Sequence, residues 1–221
     1  MSDKKYTALI LGSTGLIGME LLVCLLKNKA YKTVYAITRR PLGIQHPKLK
    51  NTIAEINDVS LQIADLQVDV FFSCLGSTKA KTPDLKDYYA VDHDYPIEVA
   101  RILKKNGCKA IAFVSSIGAN VHAKNYYLKL KGETERDIER LGLDSTYIFR
   151  PSLLIGDRNE KRFGEKIAQV ISPFLDLLCF GKFKDYRSIH AKTVASAMLN
   201  VSLKGEKGTH IYQTQQIKNL A

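Results

Sequence analysis

The chain has 221 residues, 45% hydrophobic and 25% charged, which suits one soluble α/β domain with a modest extension and leaves no room for a second full domain. The start, MSDKKYTALILGSTG, reaches glycine too soon for a secretory signal, and no stretch approaches the ~20 apolar residues that span a bilayer, so the expectation is a cytoplasmic protein without a membrane span. Lys and Arg total 33 against 22 Asp and Glu, a net +11, yet the basic residues are scattered and not interleaved with aromatics; a solvated basic surface serving partly an anionic ligand is favoured over a nucleic-acid surface.

In chain order, Tyr6–Leu11 reads as a buried strand ending in GSTGLIG, and residues 16–27 follow at helical spacing. Thr33–Thr38 is the second expected strand, Thr52–Ile56 a short third and Val68–Cys74 a fourth. A helix is expected over Tyr88–Lys105, stopped by Asn106-Gly107, then a strand over Lys109–Ser115. Residues 124–141 form a charged helix closed by Gly142, and Ser145–Arg150 is a sixth strand. Alternation of nearly continuous apolar strands with helices implies a parallel sheet covered on both faces: α/β, a Rossmann-type doubly wound sheet in one domain over 1–221. Residues 151–221 read as a small helical appendage closing the substrate side. Cys24, Cys74, Cys108 and Cys179 are dispersed without ligand spacing, so neither a disulfide nor a metal is expected.

Gly12-Ser13-Thr14-Gly15-Leu16-Ile17-Gly18 is a G-x-x-G-x-x-G loop between a strand and a helix. Its glycines suit a tight turn, approach of a pyrophosphate to backbone, and helix-to-sheet packing, while the helix N-terminus offers free N–H groups to the anion. About twenty residues on, after the second strand, an acid would grip a ribose 2′-hydroxyl. Arg39 and Arg40 stand there instead, with no acidic residue between Lys27 and Glu55, which suits a 2′-phosphate and hence NADP(H). Leu75 and Gly76, after the fourth strand, should line the cofactor cleft or form an ordinary turn.

Ser116 ends a strand at the same sheet edge, and Tyr127 and Lys131 stand at i and i+4 on the next helix. Carbonyl reduction needs a proton donor, and bringing a tyrosine from ~10 to near neutrality takes ~3 units, or roughly 4 kcal/mol, which an adjacent ammonium helps supply. Ser116 would hydrogen-bond the substrate oxygen. Tyr126 has Leu130 four residues on, so only Tyr127 has the lysine.

These motifs resemble the short-chain dehydrogenase/reductase superfamily, in its extended and atypical branch, with Arg150-Pro151-Ser152 and Ile189-His190 through Ala195 similar to its later motifs. Nearly end to end, CLGSTKAKT, VDHDY, NGCKAIAFVSS, YLKLKGETE, FRPSLLIGDR and SAMLN resemble the Tat-interacting-protein family of oxidoreductase-like proteins. The resemblance implies NADP(H) held by the glycine loop (Gly12, Ser13, Thr14, Gly15, Leu16, Ile17), Arg39, Arg40, Leu75, Gly76, Leu154 and Arg162. It also implies Tyr127 as catalytic tyrosine, Lys131 on the nicotinamide ribose, and Ser116 as catalytic serine, with Ser115 adjacent.

The leading expectation is an NADP(H)-dependent oxidoreductase acting on a small carbonyl or alcohol substrate. An NADP(H)-binding regulatory or redox-sensing protein stays open behind it. A sugar-nucleotide epimerase or dehydratase comes third, because paired arginines and a short C-terminus fit it poorly. A protein partner or homodimer is left open, and residues 160–184 are expected to roof the pocket or to close the domain's own core.

Overall fold

The computed structural model describes residues 5–77, 80, 82–156 and 181–221. Seven parallel strands form one sheet: β1 (Tyr6–Leu11), β2 (Tyr31–Thr38), β3 (Leu49–Ile53), β4 (Val70–Ser73), β5 (Ala110–Val114), β6 (Ser145–Arg150) and, last in the chain, β9 (Gly208–Gln213), in spatial order β3-β2-β1-β4-β5-β6-β9. The order reverses between β1 and β4, and crevices outside the carboxyl ends of strands form at such a point. Two short strands, β7 (Leu154–Ile155) and β8 (Ile189–His190), pair separately.

The central strands are apolar on both faces because helices cover both. On one side α1 (Leu16–Lys27) packs against α6 (Ala191–Lys204), burying Leu21, Leu22, Leu25, Val194, Ala195 and Met198 with Ala8, Ile10 and Phe72 of the sheet. On the other, α4 (Tyr95–Lys105) and α5 (Tyr126–Arg140) bury Val99, Leu103 and Ile138 against Leu9, Leu11, Phe71, Ile111 and Phe113. Each fully buried aliphatic or aromatic side chain contributes about 1.5–3 kcal/mol, so these two layers carry the fold. A short helix α2 (Val59–Gln62) and a C-terminal α7 (Thr214–Leu220) complete the shell with α3 (Leu85–Tyr89). No helix among the described residues is long and apolar enough to cross a membrane.

The third strand lies earlier than expected, at Leu49–Ile53 rather than Thr52–Ile56. Its register on β2 runs from Val34↔Leu49 to Thr38↔Ile53, and as a half-exposed edge it lacks the apolar run that marks the inner strands. The helix expected from Tyr88 starts at Leu85, because the Asp84 side chain caps it by accepting from the Lys86 and Asp87 N–H groups at 2.7 and 3.2 Å. It runs through a π-helical turn at Ala90–Asp94 before α4. The C-terminal stretch, expected as a helical appendage, also supplies a strand: β9 pairs with β6 over its whole length, and α6 belongs to the same core as α1. The expected roof over residues 160–184 lies, up to residue 180, outside the described residues.

Two glycines set how closely β1, β4 and α1 meet. Gly12 has φ +78°, and a Cβ there would lie 2.5 Å from the Cys74 carbonyl oxygen; at Gly18 it would lie 2.1 Å from the Gly12 carbonyl oxygen. Backbone cannot give way as a side-chain tip can. We expect Gly18→Ala to destabilise by about 3 kcal/mol or more, lowering Tm by roughly 6–12 °C in a domain of this size. Gly43→Ala, where nothing lies within 4 Å, should leave Tm within about 2 °C. Thermal melts followed by circular dichroism test the contrast.

Candidate active site

The glycine loop joins β1 to α1 at the point where the strand order reverses. Gly15 starts α1 in extended backbone with no side-chain cap, and no acidic residue stands in the first turn. The helix end therefore keeps N–H groups and a positive dipole end available to an anion. Ser13 is fully buried and its hydroxyl has no partner among the described residues, and the same holds for Ser73 at the end of β4. Such orphans beside an uncapped helix start fit a loop shaped for the phosphates of a dinucleotide. Leu16 packs against Gly156, so the segment after β7 reaches the start of α1, and Leu154 lies partly buried against the same core.

The turn after β2 is braced from below. Asn51 donates through Nδ2 to Thr38 Oγ1 at 2.9 Å and to the Ala36 carbonyl at 3.0 Å, and Thr38 Oγ1 donates to the Arg40 carbonyl at 2.7 Å. Arg39 and Arg40 stand exposed on this turn.

Beyond β4 the chain passes directly over Gly12, bringing Leu75 and Gly76 to the same edge. Below this loop lies Asp92, fully buried in the π-helical turn. Its Oδ2 accepts from the Ser77 N–H at 2.7 Å, and Oδ1 lies 2.9 Å from Lys131 Nζ. Its carbonyl accepts from Thr134 Oγ1 at 3.2 Å. Lys131 and Thr134, three apart on α5, thus hold one residue by side chain and by backbone. Lys131 is itself buried, with Nζ 5.1 Å from the Phe113 ring centre and 3.5 Å from the Val114 carbonyl. Burial pulls its pKa down, but Asp92, Tyr127 and Glu135 outweigh that, and the ammonium ends above the usual lysine value.

Asn125 caps α5 by accepting from the Leu128 N–H at 3.1 Å, which puts Tyr127 in the first turn and Lys131 one turn on. Tyr127 is 36% exposed; Tyr126, about as exposed, donates its hydroxyl to the Leu85 carbonyl at 3.1 Å. The two serines after β5 diverge. Ser115 is buried and donates to Glu135, whose carboxylate also takes Arg150 side-on, Nε at 2.9 Å. Ser116 is only partly buried, with a long 3.3 Å contact to the Ile117 carbonyl. The Ser116 loop is pinned to the Arg-Pro segment by the Ile117 N–H donating to the Pro151 carbonyl at 3.0 Å.

The fold therefore brings the glycine loop, Leu75, Gly76, Ser116, Tyr127 and Lys131 to one edge of the sheet; Arg39 and Arg40 follow the end of the neighbouring strand β2. Arg162 lies outside the described residues. Sequence reasoning missed Asp92, Glu135 and the role of Ser115. Glu135 had a signal, since Tyr127, Lys131 and Glu135 recur every four residues on α5.

The family described as NAD(P)H-binding matches residues 12–201. A curated relative, the mitochondrial protein FMP52 of Eremothecium gossypii, is 39% identical over 163 residues, 73% of each chain. Among solved structures, the UDP-glucose 4-epimerase of Thermotoga maritima, determined with UDP-glucose, superposes with a TM-score of 0.71 at 19% identity, covering 97% of this chain and 81% of that one. The Bordetella bronchiseptica enzyme WbmH, determined with NAD+, gives 0.69 at 20% identity, covering 95% and 76%. At these identities the likeness shows the fold alone. The expectation of a cytoplasmic protein is corrected: the relative from Eremothecium gossypii, like further fungal relatives of the same name, is named as mitochondrial.

The Ser115–Glu135–Arg150 group yields a stability prediction. Glu135→Ala strands a half-buried guanidinium and a buried hydroxyl, and should destabilise by about 3–5 kcal/mol. Adding Arg150→Met should recover part of that loss, because the unpaired charge goes with it. Urea unfolding of both variants reads the difference.

Proposed function

Since the chain belongs to the NAD(P)H-binding family, we propose that it is an NADP(H)-dependent oxidoreductase of the short-chain dehydrogenase/reductase type acting on a small carbonyl or alcohol. The observation that carries this reading is Tyr127, open at the sheet edge, one helical turn from the buried ammonium of Lys131. The uncapped start of α1 and the glycine loop would hold the pyrophosphate, and the braced turn of Arg39 and Arg40 the 2′-phosphate. Leu75, Gly76 and Leu154 would line the cofactor's path, and the near end-to-end resemblance to the Tat-interacting-protein family supports the same assignment.

The nicotinamide, when bound, supplies or accepts the hydride. Tyr127 would give its hydroxyl proton to the carbonyl oxygen in reduction and take it back in oxidation. Lys131, one turn on, holds its ammonium against Asp92 beneath the same edge. Ser116, the less buried of the two serines and free of Glu135, would donate a hydrogen bond to the same substrate oxygen as negative charge grows there.

NADPH should bind more tightly than NADH, with each charge-assisted contact to the 2′-phosphate contributing roughly 1.5–3 kcal/mol, so Arg39→Ala with Arg40→Ala should narrow the gap mainly by weakening NADPH. Calorimetric titration of both cofactors is the measurement, and equal or tighter NADH binding contradicts the assignment. Against a panel of aldehydes, ketones and quinones, Tyr127→Phe should lose at least ~100-fold in rate with cofactor affinity nearly unchanged. Tight NADPH binding with no turnover across the panel would instead favour a regulatory or redox-sensing protein.

A further inference from the structure

A buried lysine at a site for a nicotinamide sets an electrostatic problem. The oxidised ring carries a positive charge and the reduced ring none. An unpaired ammonium in the same low-dielectric wall would therefore repel the oxidised form selectively. The structure holds an answer in Asp92. Its carboxylate is fully buried, and Oδ1 lies 2.9 Å from Lys131 Nζ in a buried ion pair. Oδ1 is also the atom that a Cβ on Gly76 would approach to 3.8 Å, so the carboxylate sits directly under the loop at the carboxyl end of β4. Oδ2 is tied to that loop through the Ser77 N–H, and the backbone of Asp92 is tied to α5 through Thr134. The π-helical turn, the β4 loop and α5 thus fix one negative charge beside the ammonium and under the Gly76 loop. Within the described residues the acid facing Lys131 besides Asp92 is Glu135, and its carboxylate is already engaged by Arg150 and Ser115.

We propose that Asp92 is the counter-ion that sets the balance between oxidised and reduced cofactor, by cancelling the Lys131 charge beside the nicotinamide. This rests on the dinucleotide reading above. Asp92 acts here as a positioning and charge-compensating residue and meets no substrate. Removing its charge should leave an unbalanced ammonium and disfavour the oxidised ring. Removing the lysine's charge instead should leave an unbalanced carboxylate and favour it.

The test is calorimetric titration of the full chain with NADP+ and with NADPH, with no turnover required. In Asp92→Asn, the ratio of the NADP+ to the NADPH dissociation constant should rise about tenfold over the native ratio, the order of effect that one unit charge has on another within a protein. In Lys131→Met the ratio should fall below the native value, and in the double variant, which removes both charges, it should return to within about threefold of it. Where Asp92→Asn does not fold, the opposite displacement by Lys131→Met and its cancellation in the double variant decide the matter alone. Equal weakening of both cofactor forms in the single variants, or an unchanged ratio, overturns the proposal while leaving dinucleotide binding intact. A native protein that binds neither form overturns the dinucleotide reading, and this inference with it.

Discussion

The structure depends on three backbones meeting without side chains between them. Gly12 turns β1 toward the crevice, the chain leaving β4 crosses over it at Cys74, and Gly18 lets α1 come down onto the Gly12 carbonyl. A side chain at either glycine would separate the helix from the sheet by more than the core could absorb, because the neighbours are peptide groups. This close approach fixes positions. The N-terminus of α1 is held at the point where the sheet order reverses, the loop carrying Leu75 and Gly76 is laid beside it, and Leu16 reaches the segment after β7. The edge proposed to take the dinucleotide is what remains when these elements are packed as closely as their backbones allow.

The other wall of the crevice is organised by charge. Behind Ser116, Glu135 gathers Ser115 and Arg150, joining β5, α5 and β6 through one carboxylate. Ahead of it, Asp92 gathers Lys131, Thr134 and the Ser77 N–H. Each network satisfies buried polar groups that would be expensive alone, and each fixes one face of α5. Tyr127 is the exception: it lies on the helix that both networks immobilise and is itself left open. A rigid support under a partly exposed tyrosine is the arrangement that the proposed proton transfer to a bound carbonyl would require.

Much of this is legible from local pattern. The glycine loop, β1, α1 and β6 lie at the bounds their residues predict because apolar runs, glycine spacing and helical periodicity are properties of short segments. Tyr127 and Lys131 are legible because i and i+4 share a helix face. Asp92 is not, for a physical reason: in VDHDYP it looks like one acid of a solvated pair, and its partner stands on another helix. The π-helical turn that carries it also shifts the periodicity by which a buried position would be recognised. Glu135 lies in a charge-rich helix where most carboxylates face water. β9 escapes notice because an edge strand with a half-exposed pattern, GTHIYQ, carries no apolar run. The cellular compartment is beyond what these patterns encode, and relatives rather than residues supply the correction.

The proposed dinucleotide site depends above all on the open start of α1, where the phosphates would sit. Gly15→Asp puts it to the most direct test. Position 15 has ordinary extended backbone, and a Cβ there would meet only the Gly12 carbonyl oxygen at 3.2 Å and the Cys74 oxygen at 4.0 Å. Aspartate is also a favoured cap, so its carboxylate would satisfy the free N–H groups and support the helix while presenting negative charge where a phosphate should sit. Calorimetric titration with NADPH, paired with a thermal melt, should show binding in the native protein and at least ~100-fold weaker binding in the variant, the size of two charge-assisted contacts, with the variant still folded and its Tm lowered only modestly as the Gly12 carbonyl gives way. NADPH binding that survives Gly15→Asp undiminished would contradict the account.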